Sequence, residues 1–342
     1  MRQAVQHDYA ADMTGESDLT VAVTGPTGTF GVALMPLLQD DEHVTRVIGI
    51  ARRPFDPAER GWTKMEYRQG DVRDPAALQE AFAGADVVVH LAFLILSGGK
   101  ATTQAINVEG TLNAFRAAAE AGARRFVYAS SIAAYGFHRD NPIGITEDWP
   151  TRPADRLFYS QEKAELERLL LEEAERHPET DLYLLRPPIV LGPDAVGAKA
   201  QLPPALVQAL QLAHSGIRRL GVVPAVVPDL PMQLIHQDDV AEALRLCVLA
   251  TGPPGAYNIA ADDVVTVADV VRELGFRPFA VPSKPVAAVA RAITTLPFLP
   301  SGAQWAEVLS HPAIMDTTKA HTDLGWSPRH SAMDSLRATL PE

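Results

Sequence analysis

Leu19-Thr-Val-Ala-Val-Thr-Gly-Pro-Thr-Gly-Thr-Phe-Gly31 begins as a β-branched run and closes on three glycines, Gly25, Gly28 and Gly31. An amphipathic helix, expected over Gly28–Gln39, follows at once. Strand, glycine turn and helix in that order suit the cradling of a pyrophosphate. Gly25 permits the tight turn, and Gly28 lets backbone N–H groups approach the phosphates. Gly31 lets the helix pack closely on the strand, with its positive end toward the anion. Pro36 falls inside the helix and is expected to bend or weaken it there.

Outward from this stretch, strand-like and helix-like segments alternate. Strands are expected at Val44–Ile50, Met65–Tyr67, Asp86–Leu91, Arg125–Ser130 and Asp181–Arg186, with helices at Pro75–Ala83, Gln104–Ala121 and Leu157–Arg176. The strands are almost entirely apolar, as befits strands buried on both faces. The reading is an α/β fold, a Rossmann-type doubly wound parallel sheet, over residues 19–186. Residues 1–18 are polar and mildly acidic and read as a disordered extension. After Arg186 the pattern changes. Pro187–Pro231 is proline-rich with one helix-like piece, Pro204–His214, and is followed by a helix at Gln237–Leu249 and a strand at Ala256–Ile259. Phe276–Pro300 is proline-rich and apolar. Residues 187–342 are therefore assigned mostly to a smaller substrate-binding lobe, interleaved with late elements of the sheet.

With 342 residues the chain can bury a substantial core. Its single cysteine, Cys247, excludes an internal disulfide and lies in a run that reads as a packed helix face. A net charge of −12 disfavours nucleic acid and anionic membranes as partners, and no apolar run is long enough to span a bilayer. The expectation is a cytoplasmic protein with a small-molecule substrate and no metal.

Tyr159-Ser-Gln-Glu-Lys163 sets a tyrosine and a lysine four residues apart, on one helix face. Ser130 and Ser131 end the preceding strand, where ligand sites gather in open α/β sheets. Tyrosine ionises near pH 10, so a base working at neutral pH needs roughly 4 kcal/mol of help. A lysine cation and an oxidised nicotinamide supply it by favouring phenolate. In this scheme Ser131 holds the substrate oxygen and Tyr159 passes a proton to or from it. Lys163 lowers the tyrosine pKa and binds the cofactor ribose. His90, in an apolar strand, reads as a satisfied core histidine.

Together these segments resemble the extended short-chain dehydrogenase/reductases of the NAD-dependent epimerase/dehydratase family, from about Leu19 to Leu340. Further markers are Gly70-Asp-Val72, Val88-Val-His-Leu-Ala92, Asn107-Val-Glu-Gly-Thr-Leu-Asn113, Ala129-Ser-Ser-Ile-Ala-Ala-Tyr-Gly136, Arg186-Pro-Pro-Ile-Val-Leu-Gly-Pro193 and Ile235-His-Gln-Asp-Asp-Val240. The resemblance implies an NAD or NADP site built from Gly25, Thr27, Gly28, Thr29, Phe30 and Gly31. Asp71 and Val72 are implied at the adenine, Leu91 and Ala92 along the groove, and Pro187 and Ile189 farther along the cofactor. It also implies that Asn107 supports the active-site helix or a proton relay, a helix cap being the competing reading. A dimer through the helices at Gln104–Ala121 and Leu157–Arg176 is a family habit.

The departures bear on substrate and cofactor. NAD-preferring relatives carry an acid where Ala51 stands. Here Arg52 follows instead, a residue able to pair with a 2′-phosphate, so NADP is favoured over NAD, with a solvated charge as the other reading of Arg52 or Arg53. Nucleotide-sugar relatives place Asn at the position of Ile189 and Arg at that of Met232, although Arg218 or Arg219 could substitute. The stretch Phe93-Leu-Ile-Leu96 is apolar, Ser131 is followed by Ile132 and Ala133 rather than the acids of sugar dehydratases, and Glu162 replaces a small hydroxyl residue. The expected activity is an NAD(P)-dependent oxidoreductase working at a secondary alcohol or ketone through Ser131, Tyr159 and Lys163. Phe93, Ser131 and Met232 would meet a substrate other than a standard UDP-sugar. The alternatives are a nucleotide-sugar epimerase and a non-catalytic NAD(P)-sensing protein.

Overall fold

The computed structural model describes residues 18–94, 100–195, 224–282, 308 and 311–340. Several expectations lie outside them: the extension over residues 1–17, Ile95 and Leu96, the helix at Pro204–His214, Arg218, Arg219, and residues 283–300.

Numbering the described elements in chain order, seven strands form one all-parallel sheet. They are β1 (Leu19–Thr24), β2 (Val44–Ala51), β3 (Met65–Gln69), β4 (Val87–His90), β5 (Arg125–Ala129), β7 (Asp181–Arg186) and β12 (Gly255–Asn258). Their order is β12-β7-β5-β4-β1-β2-β3. Successive strand residues face opposite sides. Val21, Val23, Val87, Val89, Val127, Tyr183 and Leu185 enter one apolar cluster, and Ala22, Val88, Phe126, Tyr128, Leu182 and Leu184 enter another. The first face is covered by α1 (Thr29–Asp40) and α6 (Gln237–Val248). The second is covered by α2 (Pro75–Phe82), α4 (Gly110–Glu120) and α5 (Phe158–Arg176). The sheet is thus doubly wound. Cys247, fully buried on the inner face of α6, belongs to the first cluster, and burial pushes its thiol pKa up. The helix α1 runs through Pro36, which sits on its exposed side, so the carbonyl that loses a partner there faces water.

Between β1 and β4 the strand order reverses, and this opens the crevice at the carboxyl ends where ligands of such sheets sit. The later chain adds short pairs: β6 (Ile143–Ile145) with β15 (Ile314–Met315), β8 (Ile189–Leu191) with β11 (Leu234–His236), β9 (Pro224–Asp229) with β14 (Arg277–Pro282), and β10 (Pro231–Met232) with β13 (Val265–Thr266). The remaining helices are α3 (Lys100–Gln104), α7 (Val267–Glu273), α8 (Thr318–Asp323) and α9 (Ala332–Thr339). Among the described residues no helix is long and apolar enough to cross a membrane.

Candidate active site

The glycine loop shows why each glycine is needed. Gly25 has φ +71°, and a Cβ on it would lie 3.1 Å from the Ala92 amide nitrogen, so the turn after β1 touches the loop after β4 backbone to backbone. At Gly31 a Cβ would come within 2.4 Å of the Pro26 carbonyl. Gly28 would meet only the Gly25 oxygen, at 3.4 Å, so internal packing does not demand a glycine there. It is the exposed N-cap of α1 and brings no side chain to the helix end, while the first turn, Thr-Phe-Gly-Val, is uncharged. An anion at this end therefore meets helix N–H groups that no carboxylate has neutralised. These residues fit a dinucleotide pyrophosphate. Thr27 is exposed, Thr29 donates to the Asp194 carbonyl at 3.1 Å, and Phe30 packs on the core beneath α1.

Across the crevice, Leu91 and Ala92 donate their N–H groups to Thr24 Oγ1 at 3.1 and 3.2 Å. That hydroxyl also bonds His90 Nδ1 at 2.9 Å, and His90 Nε2 bonds Thr111 Oγ1 at 3.0 Å. With two donors arriving at Thr24, its proton goes to Nδ1, which leaves Nε2 as the protonated nitrogen facing Thr111. Burial first, then the Lys163 charge, hold the His90 pKa down to about 3. The histidine is a neutral core residue, as its apolar strand implied.

Where the adenine is expected, Asp71 accepts from Arg73 through Nε at 3.0 Å and Nη2 at 2.7 Å. Arg73, with a weaker contribution from the Arg52 charge, holds the carboxyl below its usual range. Arg73, which no motif marked, and Arg52 thus both act on Asp71. Val72 is buried, and a Cβ on Gly110 would lie 2.5 Å from its Cγ2, so that glycine lets α4 close on the dipeptide.

Ser131 caps the 3-10 turn Ile132–Tyr135 and is hydrogen-bonded to Tyr159. Burial pushes the Tyr159 pKa up to about 12, the Ser131 hydrogen bond opposes this, and the Glu162 charge adds to it. Here the structure corrects the sequence reading, in which Lys163 lowered the tyrosine pKa. Lys163 Nζ instead donates to Tyr128 Oη at 2.9 Å and to the Ala129 carbonyl at 2.8 Å. It is buried, and desolvation brings its own pKa down to about 7 against the pull of Glu167 and Glu162.

Asn107 is not a helix cap. It sits within a π-helical turn, Ala105–Glu109, between α3 and α4. Its side chain accepts from Leu94 N at 2.8 Å and donates to Leu94 O at 2.9 Å and to Glu162 Oε2 at 3.0 Å. It therefore pins the loop after β4 to the helix that carries Tyr159 and Lys163. Pro187 accepts from Ile132 N at 2.9 Å. Ile189 and Met232 pack on one apolar cluster, although 43 positions separate them.

Two further residues went unread. Glu167 and Arg186 form a buried ion pair, with Nε 3.0 Å from Oε1, and Glu167 also accepts from Ser130. The signal was present: Tyr159, Lys163 and Glu167 are spaced by four and share a face. Among the described residues the group of donors close enough to share a metal ion is His236, Asp238 and His330. The two rings stack at 4.0 Å and 24°, so their in-plane lone pairs run nearly parallel and do not converge. His236 Nδ1 already accepts from Asp238 N at 3.2 Å, which makes it a helix cap.

Comparison with known proteins agrees with this architecture. The model of the NAD dependent epimerase/dehydratase family matches residues 21–260, and the chain belongs to that family. An uncharacterized protein of Mycobacterium tuberculosis is 26% identical over 323 residues, covering 92% of this chain and 82% of the relative. Sterol demethylase protein B of Methylococcus capsulatus is 30% identical over 263 residues, covering 75% and 74%. The structure of UDP-glucose 4-epimerase from Thermotoga maritima with UDP-glucose superposes with a TM-score of 0.70 at 20% identity, covering 94% of this chain and 97% of that one.

Proposed function

We propose that this protein is an NAD(P)-dependent oxidoreductase acting at a secondary alcohol or ketone carbon of an apolar substrate. The hydrogen-bonded pair of Ser131 and Tyr159, at the carboxyl edge of the sheet, is the observation that carries the reading. The Gly25–Gly31 loop would hold the pyrophosphate, Asp71 and Val72 the adenine, and Leu91, Ala92, Pro187 and Ile189 the groove. Arg52, whose charge reaches Asp71, supports NADP over NAD, since a guanidinium suits a 2′-phosphate, whereas Arg73 is already committed to the Asp71 carboxylate. When bound, the nicotinamide accepts or returns the hydride of the carbinol carbon.

The proton is the protein's part. A phenol whose pKa stands at about 12 is protonated at neutral pH, so Tyr159 Oη is set to donate to a carbonyl oxygen as hydride reaches the carbon. Ser131 shares that oxygen and orients it. Asn107 and Glu162 keep the loop and the catalytic helix in register. Ile189 and Met232, both apolar and packed on one cluster, support a substrate without a pyrophosphate. The likeness to a protein named for sterol demethylation supports a sterol-like or similarly apolar alcohol.

The fold likeness to a UDP-glucose 4-epimerase favours nucleotide-sugar epimerisation as the second reading. Calorimetric titration of cofactor-stripped protein with NADP and NAD, each with and without UDP-glucose, separates the two. NADP binding indifferent to UDP-glucose, followed by NADPH consumption with apolar ketones, is the expected result. NAD binding with a clear UDP-glucose response would overturn it. Tyr159→Phe should lower turnover at least 100-fold while leaving cofactor affinity within about twofold.

A further inference from the structure

The ammonium of Lys163 has three N–H donors. Two are taken, by Tyr128 Oη and by the Ala129 carbonyl. Against the third side lies the face of Phe93, its ring centroid 3.7 Å from Nζ. The same ring makes an edge contact with Tyr159, at a centroid distance of 5.8 Å and an interplanar angle of 88°. Nothing in this arrangement leaves Lys163 a donor for a ribose hydroxyl. A cation over an aromatic face at this distance, away from water, is a favourable contact in its own right.

The backbone on either side of Phe93 is fixed. Leu91 and Ala92 are tied to Thr24, and both polar backbone atoms of Leu94 are tied to Asn107. The ring itself is only half-buried. Uncovering Lys163 is therefore a rotation of one side chain rather than a movement of the loop. The rotation also frees the side of Tyr159 that the ring edge covers.

We infer that Phe93 is a displaceable cap on Lys163, whose ring and a cofactor ribose compete for the same ammonium donor. The inference rests on the dinucleotide reading above and deepens it, because the cap sets how tightly the cofactor is held. A dinucleotide must break the contact between the cation and the ring before Lys163 can bind it. Residue 93 thereby acts as an affinity-setting residue without belonging to the phosphate loop.

The test is a series at one position, Phe93→Tyr, Phe93→Leu and Phe93→Ala, with far-UV circular dichroism to confirm folding. Leucine keeps most of the volume but has no π face, so it distinguishes the cation contact from bulk. NADP and NAD affinity, measured by calorimetry, should tighten about 2- to 30-fold in Phe93→Leu and Phe93→Ala and stay near wild type in Phe93→Tyr, the range a desolvated cation–π contact spans. A second readout needs no cofactor. Pulse acylation followed by mass spectrometry reports the pH at which Lys163 reacts, and its midpoint should rise from near neutrality in Phe93→Ala as water reaches the amine. Affinities unchanged within twofold together with an unmoved midpoint would overturn the cap. If neither dinucleotide binds the wild type or any variant, the dinucleotide reading fails, while the Lys163 midpoint still decides whether Phe93 covers it.

Discussion

The two stretches of chain that meet at the crevice are fastened in different ways. From Leu19 to Arg186 the chain builds six strands of the large sheet, four to eight residues long and each bonded to a parallel neighbour, with only the three-residue β6 outside it. Beyond Arg186 most strands have only two or three residues, and side chains clamped on distant backbone hold them. Gln233 bonds both polar atoms of Met315, at 3.0 and 2.8 Å. Asn258 donates to Ile145 and Asp316 at 2.9 and 3.2 Å. Buried Asp239 accepts from the backbone of Arg329 and His330 at 2.9 and 3.1 Å. A ladder of two residues cannot hold a strand by itself, so amide and carboxylate side chains supply the missing bonds. The sheet side keeps one geometry for the residues proposed to hold the cofactor.

The buried Glu167–Arg186 pair reaches the C-terminal side through Tyr135: Arg186 donates to Tyr135 Oη at 2.6 Å, and that hydroxyl donates to Asn258 Oδ1 at 2.8 Å. Glu167→Gln leaves the arginine charge buried and should cost about 3–5 kcal/mol in urea unfolding. Hydrogen exchange should rise on both sides of the joint; a rise confined to the C-terminal side would mean the two are independent. Asp239→Ala removes an acceptor from several N–H groups and should cost about 2–3 kcal/mol. Its signature is local, with faster exchange over residues 326–340 and unchanged protection in β1.

His90 gives the sheet side a pH dependence. Its folded pKa of about 3 lies below the ordinary value, chiefly through burial, so the unfolded chain takes up a proton that the folded chain refuses. Stability is complete above pH 6.5 and is lost as pH falls from there toward 3, by about 2 kcal/mol at pH 5. Urea melts of wild type and His90→Gln at pH 7 and pH 5 should show the extra acid loss in wild type alone. Gln233→Ala, the mildest of these changes, should cost about 1 kcal/mol and loosen β15. An effect as large as that of Asp239→Ala would show that the clamps act as one unit.

Where residues made their contacts locally, the sequence was legible. The order of strand, turn and helix around Gly25–Gly31 declares itself through periodicity and backbone freedom. Tyr159 and Lys163 declare themselves through helical spacing. Asn107 was legible as a residue type but not as a geometry, because a π-helical turn adds one residue to a helix without a compositional mark. Glu162 lies on a helix rich in acids, off the face shared by Tyr159, Lys163 and Glu167, and its burial follows only from what packs over it.

By itself the sequence determined the doubly wound sheet and the family, because buried parallel strands, glycine turns and helix faces write themselves in short-range pattern. The tertiary structure alone decided how those residues are charged and partnered. Lys163 meets Tyr128 from a neighbouring strand and Phe93 from a loop across the crevice. A pKa depends on what surrounds a group in three dimensions, and neither neighbour lies within thirty residues of it in the chain.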